Sequence, residues 1–324
     1  MRRWISPICC LFTAWSLQAA TLTEDFSQDP RGKSWRVFGA TNLFSWNAAA
    51  GNLAVKWDSA QTNSYFLVPL GTVLATNDSF RVEFDLWLDD IATGVNSEKP
   101  FTFELALGFV RLASATNASL QRGAGVNPST GPRNLVEFDY FPDSGFGATV
   151  WPALISSNGQ FNYRGLGDYA LAELATNQWH HVTMTYWATN RGLVTTVQTN
   201  GQTLISHSTR LTANFNDFRL DAFAICSYQD TGSDGSLLAH GRIDNLALTI
   251  PDPPAITFAG TLTNGTWQGT VATRTNWLYT LQRTTDFISW TAPDSGWGNG
   301  AVIALTDTNP PAPAGAYRIS ADRP

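Results

Sequence analysis

Short runs in which apolar and polar residues alternate fill most of the chain, and they limit what it can fold into. In the clearest run, residues 79–88, apolar side chains occupy every second position and mostly charged ones lie between them. Side chains point alternately to the two faces of a β-strand, so the pattern predicts a strand with one buried face. Runs of the same kind occupy residues 101–109, 135–141, 179–187, 193–199, 218–226 and 242–250.

Glycine, asparagine and aspartate separate these runs, and no amphipathic helix of convincing length competes with them. Asn200 and Gly201 both tolerate a positive φ, so this pair predicts a tight hairpin turn. About 230 residues of short strands suit a two-sheet antiparallel jelly roll better than a seven-stranded immunoglobulin-type sandwich of about 100 residues. The sequence therefore predicts an all-β fold of the jelly-roll class.

The first twenty residues are typical of a secretory signal peptide. Arg2 and Arg3 precede an apolar stretch, and Ala19 and Ala20 supply the small residues that a cleavage site needs. The apolar stretch is shorter than the ~20 residues that a membrane-spanning helix requires. Residues 1–20 therefore predict export, with a secreted, periplasmic or cell-surface location and no membrane span.

Charge and cysteine content narrow the function further. The chain has 20 lysine and arginine residues against 26 aspartate and glutamate residues, a net charge of −6. A negative protein is poorly suited to bind nucleic acid, whose phosphates repel it. Outside the first twenty residues Cys226 is the one cysteine, so an internal disulfide is excluded. Core burial, with or without a bound metal, must then stabilise the exported protein.

A proline-rich segment divides the chain. Residues 251–254 contain three prolines, which cannot continue a strand ladder, so they predict a stiff linker. The alternating pattern resumes beyond it. We therefore expect a jelly roll over residues 21–250 and a small C-terminal β domain, sandwich-like in form, over residues 255–324.

Several of these runs carry local motifs of a known superfamily. Residues 178–186 (QWHHVTMTY) resemble the W-H-H-V-x-x-x-Y strand of laminin-G-like domains, and residues 136–139 (VEFD) are similar to a strand of legume-type lectins. Residues 24–26 and 243–246 resemble the opening and closing strands of such domains. Together they place residues 21–250 close to the concanavalin A-like lectin/glucanase superfamily. That resemblance implies a jelly roll and a carbohydrate ligand.

The C-terminal part has a resemblance of its own. Residues 279–290 follow a YxLQRxTDxxxW pattern, and residues 316–319 read AYRI. Both resemble a short β-module found at the C-termini of exported bacterial proteins. The resemblance implies that this chain is also an exported bacterial protein.

Glu137 and Asp139 are the first candidate site. Residues two apart on a strand project in parallel with Cα atoms about 6.6 Å apart, so these carboxylates point to one face. In the lectin resemblance the pair holds a hard cation such as calcium beside the sugar, with Asp143 as a third oxygen ligand. As an acid and a nucleophile, the same pair would serve a glycoside hydrolase or a polysaccharide lyase.

The resemblance also shows what this strand lacks. Retaining glucanases of the superfamily carry a second glutamate two or three residues after the aspartate, where this chain has Phe141 and Pro142. A third interpretation is structural, with Glu137 and Asp139 either solvated or paired with Arg133 or Arg164. The three interpretations stay open, and we expect a polar groove wall whose binding depends on the loop to Trp151.

Asp244 is the main metal candidate. Strict alternation places it on the same face as Leu246, Leu248 and Ile250, and an unpaired carboxylate on an apolar face is costly. A calcium ion held by Asp244 together with Asp25 or Glu24 would satisfy it and join the first and last strands. A hydrogen-bonded aspartate at the sheet rim is the alternative.

Aromatic residues complete the candidate site, because flat rings stack on the C–H faces of sugars. The candidates are those in the loop after the acidic strand and one on a polar strand face: Phe146, Trp151, Tyr163 and Trp87. Core packing is the alternative for each ring. We expect an exported protein that binds a polysaccharide or glycan without chemistry. The alternatives are a hydrolase or lyase using Glu137 and Asp139, and an extracellular adhesion or scaffold protein.

Overall fold

The computed structural model describes residues 19–124, 127, 129–143, 145, 147–162, 168–252, 256–312 and 314–323. Within these ranges the strands build two large antiparallel sheets, which face each other, and two small sheets that follow them in the chain. The predicted all-β jelly-roll sandwich is confirmed. The predicted signal peptide lies outside the described residues except for Ala19 and Ala20, which begin the first strand.

Sheet 1 contains the strand with the W-H-H-V motif. Its strands, in spatial order, are β14 (Gln202–Arg210), β13 (Gly192–Thr199), β12 (Trp179–Trp187), β6 (Phe80–Thr93), β16 (Leu237–Pro251), β4 (Asn52–Asp58) and β3 (Phe44–Asn47). A further strand, β1 (Ala19–Glu24), pairs with the second half of β16, while β4 pairs with its first half.

Sheet 2 contains the strand with Glu137 and Asp139. Its strands, in spatial order, are β11 (Ala170–Leu171), β9 (Thr149–Val150), β8 (Leu135–Phe141), β7 (Leu105–Val110), β15 (Leu220–Ser227), β5 (Ser64–Leu74) and β2 (Arg36–Phe38). The short strand β10 (Ala153–Ile155) also pairs with β8. The helices beside these sheets are short: α1 (Leu112–Ala115) and the 3₁₀ turns Pro30–Lys33, Thr41–Leu43 and Arg122–Ala124.

The C-terminal part forms two three-stranded sheets. Sheet 3 contains β17 (Phe258–Thr263), β18 (Thr266–Ala272) and β21 (Val302–Asp307), and sheet 4 contains β20 (Thr291–Trp297), β19 (Leu278–Thr284) and β22 (Ala316–Asp322). Both sheets share a small apolar core that includes Val271, Trp277, Tyr279 and Leu305.

The main core fills the space between the inner faces of sheets 1 and 2. Strand β6 contributes every second residue of its pattern, and Phe84 meets Phe138 of β8 edge to face with ring centroids 5.9 Å apart. Burial of apolar side chains stabilises this fold. The face of each large sheet turned away from this core is called its outer face below.

The hairpin turn between β13 and β14 is where the sequence predicts it. Asn200 has φ +51° and Gly201 has φ +73°, the left-handed values that this pair of residues tolerates. Both strands of the hairpin belong to sheet 1 and pair along their length, with one register shift at Val197/Gln198.

The predicted orientation of Asp244 is wrong, because β16 contains a bulge. The register with β6 shifts between Asp244 and Ala247, and Asn245 adopts φ +49°. A bulge adds one residue to one strand and so reverses the faces of the residues that follow it. Ile243 and Leu246 therefore both face the core, and Asp244 turns to the outer face, where it is half-buried.

The C-terminal sheets contact the end of β5, in sheet 2, and the turn that leads from β5 to β6. The buried Arg323 donates to the carbonyl of Val73 over 3.1 Å and to the side chain of Asn77 over 2.5 Å, and it also pairs with Asp78. Residues 253 and 254 of the predicted linker and residue 255, the first of the predicted C-terminal domain, lie outside the described residues, so the domain boundaries stay a prediction. Among the described residues, no helix has the length and apolarity to cross a membrane.

Candidate functional site

Glu137 and Asp139 lie on the outer face of sheet 2, as their alternation predicts, but that face is covered at this point. Glu137 is 0% exposed and Asp139 is 2% exposed. The covering group is the guanidinium of Arg122, which comes from the connection between β7 and β8. The expectation that these carboxylates wall a solvent-facing groove is therefore wrong.

Arg122 is the centre of a buried charge cluster. Its Nη2 donates to Asp139 Oδ2 over 2.5 Å, and its Nε lies 3.4 Å from Glu104 Oε1 and 3.5 Å from Glu137 Oε2. The ring of Tyr228 lies 5.5 Å from the guanidinium carbon, and the hydroxyl of Tyr228 donates to Glu137. One guanidinium thus faces three carboxylates.

Strand β7 leaves room for this cluster. Gly108 pairs with Glu137 across the ladder, and a Cβ on it would lie 2.3 Å from the carbonyl oxygen of Val136 and 2.9 Å from Glu137 Cγ. Its neighbour on the same face, Ala106, pairs with Asp139. Small residues on β7 therefore make the space in which the carboxylates and Arg122 meet.

Burial dominates the electrostatics of the cluster. Loss of water raises the pKa of Glu104, Glu137 and Asp139 above their ordinary values, and Arg122 only partly offsets the effect. Burial also opposes the charge of Arg122, but the surrounding carboxylates outweigh it and hold the guanidinium pKa well above its ordinary value. The cluster therefore contains more acid groups than one buried cation can neutralise.

This arrangement resembles the third interpretation above, in which Glu137 and Asp139 pair with an arginine, but the arginine is a different one. The partner is Arg122, not Arg133, and Arg164 lies outside the described residues. Cys226 is buried, and its thiol points toward Glu137 Oε1 at 3.4 Å. Substrate cannot reach Glu137 or Asp139 in this arrangement, so a catalytic or sugar-binding role for them stays a prediction.

The residues predicted to bind calcium have other partners in the structure. Glu24 is buried and accepts from the amide of Phe26 over 2.9 Å and from Lys33 Nζ over 3.0 Å. Asp25 is exposed and accepts from Ser27. Within the described ranges, no group of three or more His, Cys, Asp or Glu side chains is placed to hold a metal ion. These donors do not fit a calcium site, and calcium stays a prediction.

The structure describes only some of the aromatic residues predicted to bind sugar. Phe146 and Tyr163 lie outside the described residues. Trp151 is half-buried, and its ring centroid lies 5.5 Å from that of Tyr169 and 6.2 Å from that of Phe141. This part of the loop therefore presents a packed aromatic group rather than a free ring.

Trp87 belongs to an aromatic cluster on the outer face of sheet 1. Its ring meets that of Trp179 at 5.5 Å, and the guanidinium of Arg242 lies 5.3 Å from it on the other side. The indole nitrogen of Trp87 donates to Asp89 over 2.8 Å. Trp87 is thus held in place, while Trp179 is 36% exposed and reaches solvent.

A polar row lies beside this cluster. Asp85 accepts from Asn245 Nδ2 over 2.8 Å and is paired with His181 Nδ1, also over 2.8 Å. Asp244, opposite Asp85 in the ladder, has its pKa raised by partial burial and by the nearby charges of Asp85 and Asp25. A depression of about 590 Å³ opens here, and its lining includes Trp179, His181, Asp85, Gln198, Asn200 and Asn245.

We call Trp87, Trp179, His181, Asp85 and Asn245 the sheet 1 site. The bulge at Asn245 brings that side chain over Asp85, and the β6–β12 register sets Trp179 beside Trp87 and His181 beside Asp85. The site combines a flat apolar ring with amide, imidazole and carboxylate groups. That combination can stack on one face of a sugar and hydrogen-bond its hydroxyls.

Sequence reasoning missed most of this site, although a signal was present. The tetrapeptide V-E-F-D occurs twice, at residues 82–85 and at 136–139. Only the second copy is a candidate site from sequence alone, because it resembles a lectin strand. Trp179 belongs to the W-H-H-V motif, whose resemblance indicates the fold, and its position opposite Trp87 brings two rings together on an open face.

Solved structures similar to this chain include two lectins and an alginate lyase. Lectin II from Ulex europaeus is 11% identical with a TM-score of 0.47, covering 72% of this chain and 99% of that chain. The Lotus tetragonolobus seed lectin is 14% identical with a TM-score of 0.46, covering 72% and 100%. The alginate lyase is 12% identical with a TM-score of 0.39, covering 70% and 96%. No protein-family model and no curated protein matches the chain.

Proposed function

We propose that this protein binds carbohydrate without chemistry, and that the sugar lies on the sheet 1 site. The observation that supports this most is the ring of Trp179, which is exposed beside a polar depression. His181, Asp85 and Asn245 offer donors and acceptors next to it. Aromatic rings flanked by a few placed polar groups are typical of ligand sites, since the ring supplies contact area and the polar groups supply orientation.

The site is also preorganised. Trp87 buttresses Trp179 from β6, and Asp85 is fixed by hydrogen bonds from His181 and Asn245. A site whose side chains are already held loses less conformational entropy when a ligand binds. The prediction of an exported location, which rests on residues 1–20, agrees with an extracellular glycan as the ligand.

A hydrolase or lyase that uses Glu137 and Asp139 is the alternative. It requires both carboxylates to reach a substrate, and their burial under Arg122 counts against it. Reducing-end and unsaturated-product assays on a glycan panel, with Glu137→Gln as a control, test it directly. Product released by the wild type and lost in that variant would establish the enzyme. An extracellular adhesion or scaffold role stays a prediction.

A glycan microarray followed by calorimetry tests the proposal. We expect binding to at least one neutral glycan, with and without calcium, and a loss of about tenfold or more in affinity for Trp179→Ala, equivalent to ~1.4 kcal/mol. The matched control is Trp297→Ala, which removes a 60% exposed indole from the C-terminal part of the chain. Absence of binding to every glycan, or equal losses in both variants, would refute the proposal.

A further inference from the structure

Two exposed tryptophans lie at the two ends of one strand face. Trp179 begins β12 and Trp187 ends it, and their exposed fractions are 36% and 49%. The two positions are eight residues apart, which at 3.3 Å per residue is about 26 Å along the strand. Gly192 pairs with Trp187 on β13, so no side chain from that strand covers the ring.

The surface between the two rings is polar. Thr183 and Thr185 share the outer face of β12 with the tryptophans, because all four positions are an even number of residues apart. On β13, Thr196 pairs with Thr183, and Gln198 pairs with His181. Thr183 is 8% exposed and Val194 lies opposite Thr185, so imidazole, hydroxyl and amide groups line part of the strand face between the rings.

Two carboxylates along this face, those of Glu83 and Asp85, are held by neighbouring side chains. Arg81 binds Glu83 over 2.5 Å, and His181 binds Asp85 over 2.8 Å. Acidic groups equal or outnumber basic ones here, and the whole chain carries a net charge of −6. Such a surface gives a polyanion no electrostatic attraction, so it suits a neutral ligand rich in hydroxyl groups.

A large cleft lies at the Trp187 end. It has a volume of about 790 Å³ and runs between the end of sheet 1 and the C-terminal sheets, where its lining includes Trp187, Arg274 and Trp277. Arg323 fixes that wall, since it stacks on Trp277 at 5.3 Å and donates to the Val73 carbonyl. The polar strand face thus connects a depression at Trp179 with a cleft at Trp187.

From this arrangement we infer that the ligand is a linear neutral polysaccharide that lies along β12, with one sugar ring on Trp179 and another on Trp187. The inference rests on the proposed function and names its substrate class, an extended chain rather than a single terminal sugar. Each sugar between the rings meets threonine, glutamine and carboxylate groups along the strand. The cleft beside the C-terminal sheets receives the chain where it passes Trp187.

Calorimetry with oligosaccharides of two lengths tests the inference. The probes are the disaccharides and hexasaccharides of the cello-, xylo- and laminari- series, with alginate as the anionic comparison. We expect the hexasaccharide of one series to bind about tenfold tighter than its disaccharide, and alginate to bind weakest. Trp187→Ala should abolish the length gain and leave disaccharide affinity unchanged, whereas Trp179→Ala should weaken both.

One further variant keeps the test decisive. Trp187→Tyr retains a flat ring and should keep most of the length gain. If Trp187→Ala acted only by disturbing the fold, restoring a ring at this position would not restore the gain. Equal affinities of hexasaccharide and disaccharide, or an unchanged hexasaccharide affinity in Trp187→Ala, would overturn the inference and leave the proposed function intact. Absence of binding to any neutral probe would overturn the proposed function as well.

Discussion

The same four residues, V-E-F-D, occur in β6 and in β8 and lie in opposite surroundings. Phe84 and Phe138 meet edge to face in the core, so the carboxylates beside them point to the outer faces of different sheets. The side chains of Glu83 and Asp85 are 34% and 24% exposed, whereas Glu137 and Asp139 are sealed around Arg122. Strand alternation decides which face a carboxylate takes, but another part of the chain decides whether water reaches it.

The difference comes from one connection. The segment between β7 and β8 crosses the outer face of sheet 2 and brings in Arg122, and small residues on β7 leave space for it. On sheet 1, Glu83 is paired instead with Arg81 of its own strand, which is 44% exposed. One copy therefore forms a buried ion cluster, and the other belongs to an open, aromatic surface.

The largest expected effect is that of removing the central cation. Arg122→Met leaves three buried carboxylates without their cation and should lower the free energy of unfolding by about 3–5 kcal/mol. Arg81→Met, the matched change beside the exposed copy, should cost about 0–1 kcal/mol. Urea denaturation of the two variants measures both. Similar losses would contradict the difference in burial between the two V-E-F-D copies.

A smaller loss is expected from filling the space beside Glu137. Gly108→Ala places a methyl group against the Val136 carbonyl and should cost about 1–3 kcal/mol, the usual range for overpacking. Gly192→Ala on sheet 1 is the control, because its nearest contact, at 3.0 Å, is the side-chain oxygen of Asn190, which can move. A Gly108 variant as stable as the Gly192 variant would argue against close packing of the cluster.

The smallest effect is a dependence on pH. Burial raises the pKa of Glu137, so the folded protein binds more protons than the unfolded chain once the pH exceeds about 4.5. Stability from this group is complete below that pH and is lost as the pH rises through the raised pKa. Glu137→Gln should therefore gain stability relative to the wild type as the pH rises toward neutrality.

The control for the pH prediction is the same substitution in the other copy. Glu83→Gln removes an exposed carboxylate that has its own arginine partner. Thermal unfolding of wild type and both variants over the same pH series gives the comparison. Parallel curves for Glu137→Gln and Glu83→Gln would contradict the assigned cause.

The sequence was sufficient for the parts of this molecule that depend on local pattern. Residues 135–141 and 179–187 form the strands that their alternation predicts, and Asn200 with Gly201 forms the predicted turn. Asp244 was misplaced because a bulge one residue long reverses the faces after it, and Asn245 tolerates the φ that the bulge needs. A strictly periodic reading of the strand has no means to include that extra residue.

The candidate site depends on long-range contacts, which pattern alone does not predict. Arg122 meets Asp139 only because a connection folds back over sheet 2, and Trp179 meets Trp87 across strands that are distant in sequence. The repeated V-E-F-D tetrapeptide was visible, but deciding which copy is open required the fold. The roles of Phe146 and Tyr163, which lie outside the described residues, stay predictions.

The most direct test compares Trp179→Ala with Glu137→Gln in one binding experiment on the hexasaccharide that the wild type binds most tightly. The account predicts that Trp179→Ala weakens binding about tenfold or more, while Glu137→Gln binds like the wild type. Loss of binding in Glu137→Gln, with full binding in Trp179→Ala, would contradict it and assign the ligand to the buried copy.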